Sequence, residues 1–160
     1  MEIETTRPLA EKVNKQFSNE AQIKELIVRV ANGIEAADID AIMSAYAPEA
    51  EIFDVRDSLA ESKDEFRFSW KECFDMTENF KVEAHELKIN VDNFQAFSHC
   101  LSHATGKSKD GMVIDMWLRI TTCYSKIDGE WLIVHEHASM PGDFESGKIL
   151  QNIKPIFFVF

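Results

Sequence analysis

The sequence predicts an α+β domain in which about three N-terminal helices pack on one face of a curved antiparallel sheet and enclose a cavity. Apolar residues recur at helical spacing in the first half of the chain, while the stretch from Phe94 to Met140 alternates apolar and polar residues. Within that stretch, Lys109-Asp110-Gly111 and Asp128-Gly129 mark two hairpin turns, because glycine readily supplies the positive φ of a tight turn. Helices first and strands afterwards are the order of an α+β domain.

Residues 1–17 have no clear period and read as a loose arm or a short helix. Asn19 and Gln22 have capping-box spacing, and Ile23, Leu26, Ile27, Val30 and Ile34 follow on one stripe, so a first helix is expected over about residues 20–36. Asp38 caps a short second helix with Ile39, Ile42, Met43 and Tyr46 inward, and Pro48 ends it. Glu51 to Val55 reads as a short strand carrying Phe53 and Asp54. Ser62 and Glu65 make another capping box, and Phe66, Trp70, Cys73 and Phe74 form the stripe of a third helix. Between Phe80 and Val91 the apolar phase changes from Ala84 to Leu87, as a bulge in a curved strand requires. Pro141-Gly142 closes the readable order, giving one domain over residues 18–142. Residues 143–160 are a tail whose apolar end, Ile156 to Phe160, is expected to pack on the domain or on a second subunit.

Two-residue loops at both Asp-Gly turns would pair Thr121 with Glu136, Arg119 with Ala138 and Thr122 with His135, and would pair Ser102 with Arg119, Ala104 with Trp117 and Gly106 with Asp115. The face towards the helices would then carry Ser98, Cys100, Ser102, Asp115, Trp117, Arg119, Thr121, Val134, Glu136 and Ala138. The outer face would carry Phe97, His99, Leu101, His103, Met116, Leu118, Ile120, Tyr124, Trp131, Ile133, His135 and His137. A slip of one residue inverts a strand against its neighbours.

At 160 residues, 45% of them apolar, the chain suits one domain with a real core. Lys and Arg number 17 against 28 Asp and Glu, and the net charge of −11 repels phosphate backbones and anionic lipid, so neither nucleic acid nor membrane is an expected partner. Cys73, Cys100 and Cys123 are odd in number and lack C-x-x-C spacing, which argues against a disulfide framework or zinc ribbon and for a cytoplasmic setting. The N-terminus lacks the basic and apolar regions of a signal peptide, and no apolar run reaches spanning length.

The order helix, helix, strand, helix, sheet, with the stretches Asp38 to Asp54, Val113 to Arg119 and Ile127 to His137, resembles the NTF2-like superfamily over about residues 20–140. Within it, the chain resembles the SnoaL-like and ketosteroid-isomerase-like proteins. The resemblance implies a cone with a ligand cavity, a homodimer formed through the outer sheet face, and chemistry without metal or redox cofactor: isomerases, dehydratases, polyketide cyclases and epoxide hydrolases. It places the catalytic base of the ketosteroid isomerases at Asp54. It places their second aspartate, kept protonated to donate to an oxyanion, at Asp115. Their helix-one tyrosine is matched by Val30 and an aromatic donor by Trp70, so a true steroid isomerase is not expected.

The residues themselves leave alternatives. Asp54, between Phe53 and Val55, is either a base with a pKa raised by burial or a solvated aspartate at a strand end. Arg119 either pairs with Glu136 to hold the sheet or binds a substrate anion, with Ser102 across from it and Asp115 ~13 Å along the strand. Trp70 and Trp117 are candidate pocket walls, Trp70 also plain core, and Cys100 reads as an inert buried thiol. On the outer face, Phe97, His99, Leu101, Leu118, Ile120, His135 and His137 are the expected dimer contact. The histidines there, with His103, are alternatively metal ligands or catalytic groups, whereas His85 is expected at the surface. The leading function is cofactor-free acid/base chemistry on a small, partly apolar substrate. Its rival is a binding or assembly module in which the same charges pair with each other.

Overall fold

Among the residues that the computed structural model describes, 7–151 and 153–156, three helices lie against a six-stranded sheet that does not close into a barrel. The elements run α1 (Arg7–Glu35), α2 (Ile39–Met43), β1 (Tyr46–Phe53), β2 (Glu61–Ser62), α3 (Lys63–Met76), β3 (Thr77–Val91), β4 (Gln95–Ser108), β5 (Val113–Ile127) and β6 (Glu130–Ser139). The sheet order is β2-β1-β6-β5-β4-β3. It is mixed rather than wholly antiparallel, because β1 returns beside β6 in parallel, pairing Tyr46 with Ile133 and Phe53 with His137.

The helix stops and starts follow local chemistry. Asp38 caps α2 by accepting from the Ala41 N–H at 3.0 Å. Ser62 and Glu65 complete the expected capping box of α3, the Ser62 N–H donating to Glu65 Oε2 at 2.7 Å and the Glu65 N–H to Ser62 Oγ at 3.3 Å. Asn19 is not a cap, since α1 begins by Arg7 and passes through it without a break. Instead its buried side chain ties α1 to the sheet. Nδ2 donates to the Asp92 carbonyl at 3.4 Å, and Oδ1 accepts from Lys126 Nζ at 3.1 Å. Tyr46 belongs to β1 rather than to the second helix, so the strand starts earlier than expected and Asp54 falls just beyond its end. The core joins Ile23, Leu26 and Ile34 of α1 to Ile42, Tyr46, Ile52, Phe66 and Ile133, with Ile23, Ile42 and Ile52 wholly buried. Each of those three contributes about 2–3 kcal/mol by burial.

The meander forms where expected, and β3 bulges between His85 and Lys88, with Glu86 at φ 52°. Two offsets, however, turn β5 over. Between β4 and β5 the loop holds three residues, Lys109-Asp110-Gly111, rather than two. The Gly111 N–H donates to the Ser108 carbonyl at 2.9 Å, the Ser108 N–H to the Met112 carbonyl at 2.8 Å, and Gly111 takes φ 98°. This is the tight turn followed by a left-handed residue that three-residue hairpins use. Ser102 therefore pairs with Leu118, Ala104 with Met116 and Gly106 with Ile114.

Between β5 and β6 the two-residue Asp128-Gly129 turn is present, with φ 50° and 87°. Tyr124 pairs with Ile133, but Cys123 pairs with His135, so Val134 is the extra residue of a bulge. Beyond it Thr122 pairs with Glu136, Thr121 with His137 and Ile120 with Ala138. Met116, Leu118, Ile120 and Tyr124 therefore turn inward, and Asp115, Trp117, Arg119 and Thr121 turn outward. Trp131 and Ile133, expected outside, join the core because they precede the bulge.

Cys73, Cys100 and Cys123 are free thiols. Among the described residues no helix is long and apolar enough to cross a membrane. The tail makes a short bridge between Gly142 and Ile149, and residues 157–160, the end expected to pack on the domain, lie outside the described residues.

Ser62→Ala removes one half of the α3 capping box. Urea unfolding is expected to show a loss of about 1 kcal/mol, and an unchanged midpoint would deny the box that role.

Candidate functional site

The concave face of the sheet, α1 and α3 bound a cavity of about 430 Å³, inside the range of ~300–1,000 Å³ that small-molecule pockets occupy. Most of its wall is apolar: Leu26 and Val30 from α1, Phe66 and Trp70 from α3, Leu118 and Ile120 from β5. The inversion of β5 produces this lining, since the opposite parity would have put Asp115 and Arg119 into it.

Glu136 is the carboxyl that the cavity buries. The Val134 bulge keeps both Ile133 and Glu136 facing inward, and the half-buried Glu136 sets its carboxyl in the cavity wall. The Tyr46 hydroxyl donates to its Oε2 at 3.1 Å, and the Thr122 hydroxyl lies at 3.5 Å from the same oxygen. Desolvation outweighs both hydrogen bonds and, with a smaller push from Asp54, raises the Glu136 pKa to about 7. Burial first, and Glu136 second, hold the Tyr46 phenol well above its ordinary value, so it stays a donor. A second hydroxyl pair, Ser98 and Tyr124 at 2.8 Å, lies in the same wall, and burial raises the Tyr124 phenol too.

Asp54 enters the cavity wall from the end of β1. Burial raises its pKa, opposed by the Val55 N–H, which donates to Oδ1 at 2.8 Å, and by Arg56. The Arg56 guanidinium, also in the wall, donates to the Ser69 carbonyl at 3.3 Å and pairs with Glu72. Trp70 stacks on Phe74 at 5.4 Å and meets Phe66 edge-on at 5.9 Å, so it is at once core and cavity wall. Ser102 lines the cavity as well. Burial pushes the Cys100 thiol up to about 11, which keeps it un-ionised at neutral pH.

Asp54, Trp70, Ser102 and Glu136 thus come together in the cavity, while Asp115, Trp117 and Arg119 do not. Asp115 bonds His103 on the outer face at 2.7 Å, and that contact lowers its pKa, the opposite of a carboxyl kept protonated. Arg119 pairs with Leu101 and Ser139 rather than with Ser102 and Ala138, so its expected ion pair with Glu136 does not form. Leu118 and Ile120 likewise leave the expected outer contact for the cavity. Tyr46, Tyr124 and Thr122 escaped the sequence reading. Tyr46 was assigned to a helix, and the other two lie on strands whose faces depend on the bulge. With Val30 where the isomerases carry a tyrosine, the hydroxyl beside the buried carboxyl comes from β1 instead.

A family model described as a SnoaL-like domain matches residues 23–143. Among solved structures, an NTF2-like protein of unknown function from Pseudomonas putida is 28% identical, with a TM-score of 0.79 over 87% of this chain and 98% of that one. A ketosteroid isomerase-like protein from Erwinia carotovora is 19% identical, with a TM-score of 0.63 over 74% of this chain and 92% of that one. A protein provisionally described as a dehydratase of the NTF2-like family, from Streptomyces avermitilis, is 13% identical, with a TM-score of 0.66 over 77% and 96%. The last two similarities bear on fold alone, and the fold is the NTF2-like one. No curated protein matches significantly.

Glu136 titrates at about 7 in the folded chain against an ordinary 4.5, so between those values the folded state holds a proton that the unfolded state has lost. Its contribution to stability is full below about 4.5, falls as pH rises and is gone above about 7. Glu136→Gln removes this dependence. Denaturant unfolding should find the variant close to the parent at pH 5 and up to roughly 3 kcal/mol more stable at pH 8. A gap that does not change with pH would place the carboxyl in contact with solvent.

Proposed function

We propose that this chain, which belongs to the SnoaL-like family, is a cofactor-free acid/base enzyme of the isomerase, dehydratase or cyclase type, acting on a small, partly apolar molecule. The observation that carries this reading is the Glu136 carboxyl, held near neutrality inside an apolar cavity and hydrogen-bonded by a phenol that does not ionise. A group that titrates close to working pH both accepts and donates protons, and such groups contribute ~10²–10⁴-fold to rate.

In this reading Asp54 is the base. The Val55 N–H and Arg56 favour its ionised form, whereas among the described residues no cation favours that of Glu136. Asp54 removes a proton from carbon next to a carbonyl, and protonated Glu136, with Tyr46 behind it, donates to the oxyanion that develops. The two carboxyls repel each other electrostatically, so ionisation of one keeps the other protonated. Trp70 and Ser102 bind and orient the ring system that the apolar wall accepts. The oxyanion-donor role that the resemblance implies for Asp115 passes to Glu136 and Tyr46. A protein provisionally described as a dehydratase and one described as ketosteroid isomerase-like share the fold on which this reading is built.

Proton abstraction can be measured before the substrate is known, by NMR of deuterium uptake into a panel of cyclic enones, β-diketones and phenols. At least one member is expected to exchange faster than in buffer. Asp54→Asn should slow that exchange by ~100-fold or more with the fold intact, and Glu136→Gln should remove the inflection near pH 7. Panel members that bind without exchanging would assign the cavity to ligand holding or assembly instead.

The outer face, with Phe97, His99, Leu101, His135 and His137, is the surface we assign to a second copy in a cytoplasmic homodimer. Sedimentation should report a dimer that Phe97→Asp weakens by at least ~10-fold, and a monomeric parent would remove the assignment.

A further inference from the structure

Away from the cavity, on the convex side of the sheet, β3, β4 and β5 gather a second group of chemical side chains. Glu83 and His85 sit two residues apart on β3 and so share a face, and Glu83 is paired directly with His103 on β4. One donor atom from each of the three lies within 4.8 Å of the other two. Glu83 Oε2 and His85 Nε2 are 3.8 Å apart. Around a tetrahedral metal with bonds of ~2.0–2.1 Å, ligand atoms stand about 3.3 Å from each other, so small side-chain rotations close the gap.

The neighbours hold these rings in place. His103 lies flat on the Trp117 indole, with centroids at 4.4 Å and planes 3° apart, and His85 meets the same indole at 5.0 Å. Asp115 Oδ1 is 2.7 Å from His103 Nε2. With the Asp115 carboxylate accepting from Nε2–H, the lone pair of His103 is on Nδ1. A carboxylate on the far nitrogen is the arrangement that orients a metal-binding imidazole and raises its basicity. Glu83 and Asp115 bring two negative charges beside two imidazoles, met among the described residues only by exposed lysines, Lys81 Nζ at 3.5 Å from Glu83 and Lys154 Nζ at 3.8 Å from Asp115.

We propose that Glu83, His85 and His103 bind one divalent transition-metal ion of the zinc class, with Asp115 as the positioning residue for His103 and water in the remaining position. Two imidazoles and a carboxylate select borderline cations over calcium or magnesium, which prefer oxygen-rich sites. The site faces away from Asp54 and Glu136, so its occupancy is independent of the proposed acid/base chemistry.

Tag-free full-length protein titrated with zinc chloride in a calorimeter should take up one equivalent, and cobalt(II) should give a visible spectrum of low coordination number. His85→Ala and His103→Ala should each weaken zinc binding by more than 100-fold, and Asp115→Asn by ~10–100-fold, while His137→Ala leaves it unchanged. In the parent protein, zinc should move the imidazole C–H resonances of His85 and His103 ahead of those of His99, His135 and His137, a readout that needs no variant to fold. Absence of saturable binding, equal binding in the two alanine variants, or loss in His137→Ala would overturn the proposal and leave the cluster as a stacked surface network.

Discussion

A strand in a sheet presents its side chains to two faces and has no third choice, so the parity of β5 decides what this molecule can hold. One parity lines the cone with Met116, Leu118, Ile120, Thr122 and Tyr124, and the other would line it with Asp115, Trp117, Arg119 and Thr121. The first makes a mostly apolar chamber in which the Glu136 carboxyl is costly to ionise. The second would have surrounded Glu136 with charge and released that constraint. The behaviour of Glu136 and the neutrality of the phenols both depend on β5 turning its apolar edge inward.

The buried carboxyl is a liability that the rest of the wall limits without removing. Tyr46 and Thr122 satisfy one of its oxygens, yet both are neutral, and a neutral donor compensates only part of the lost hydration. A basic side chain in the position of Thr122 would have stabilised the charge and fixed it. What the protein keeps is a group able to change state near neutral pH, at a cost in folding stability, the usual exchange at sites that do chemistry. Asp54 and Arg56, at the end of β1, supply the complementary polarity.

The apolar stripes of the helices, the capping box at Ser62 and Glu65, the β3 bulge and the meander were legible, because each rests on local periodicity or on a turn residue with a specific backbone need, whereas the start of α1 at Arg7 was not. Asp54, Trp70, Ser102 and Glu136 do line the cavity, but Asp54 was placed there by the resemblance, and Glu136 keeps its expected face because the loop offset and the Val134 bulge cancel at β6. The facing of β5 was not, since it depends on whether Lys109 belongs to the strand or to the loop and on whether Val134 is paired. Both choices carry the same Asp-Gly signal. Tertiary packing decides them: with β5 facing the other way, four large apolar side chains would meet water and a charged pair would meet the core. The alternation of β5 alone contains both answers. The outer cluster of Glu83, His85, His103 and Asp115 was hidden by the same slip, which had placed Asp115 and Trp117 on the far side of the sheet from His103.

The Lys109-Asp110-Gly111 loop has a further consequence, for the register of its hairpin. A two-residue and a three-residue loop can both be built from these residues, so the nascent β4–β5 hairpin has two registers of similar local preference. The Ser108 hydroxyl, bonded to the Met112 N–H at 2.9 Å and to Asp110, favours the longer loop. A hairpin zipped in the other register exposes its apolar edge and cannot slide into place, because every cross-strand bond must first break. The choice between two and three residues at one surface turn therefore settles which face of β5 lies under α1 and α3.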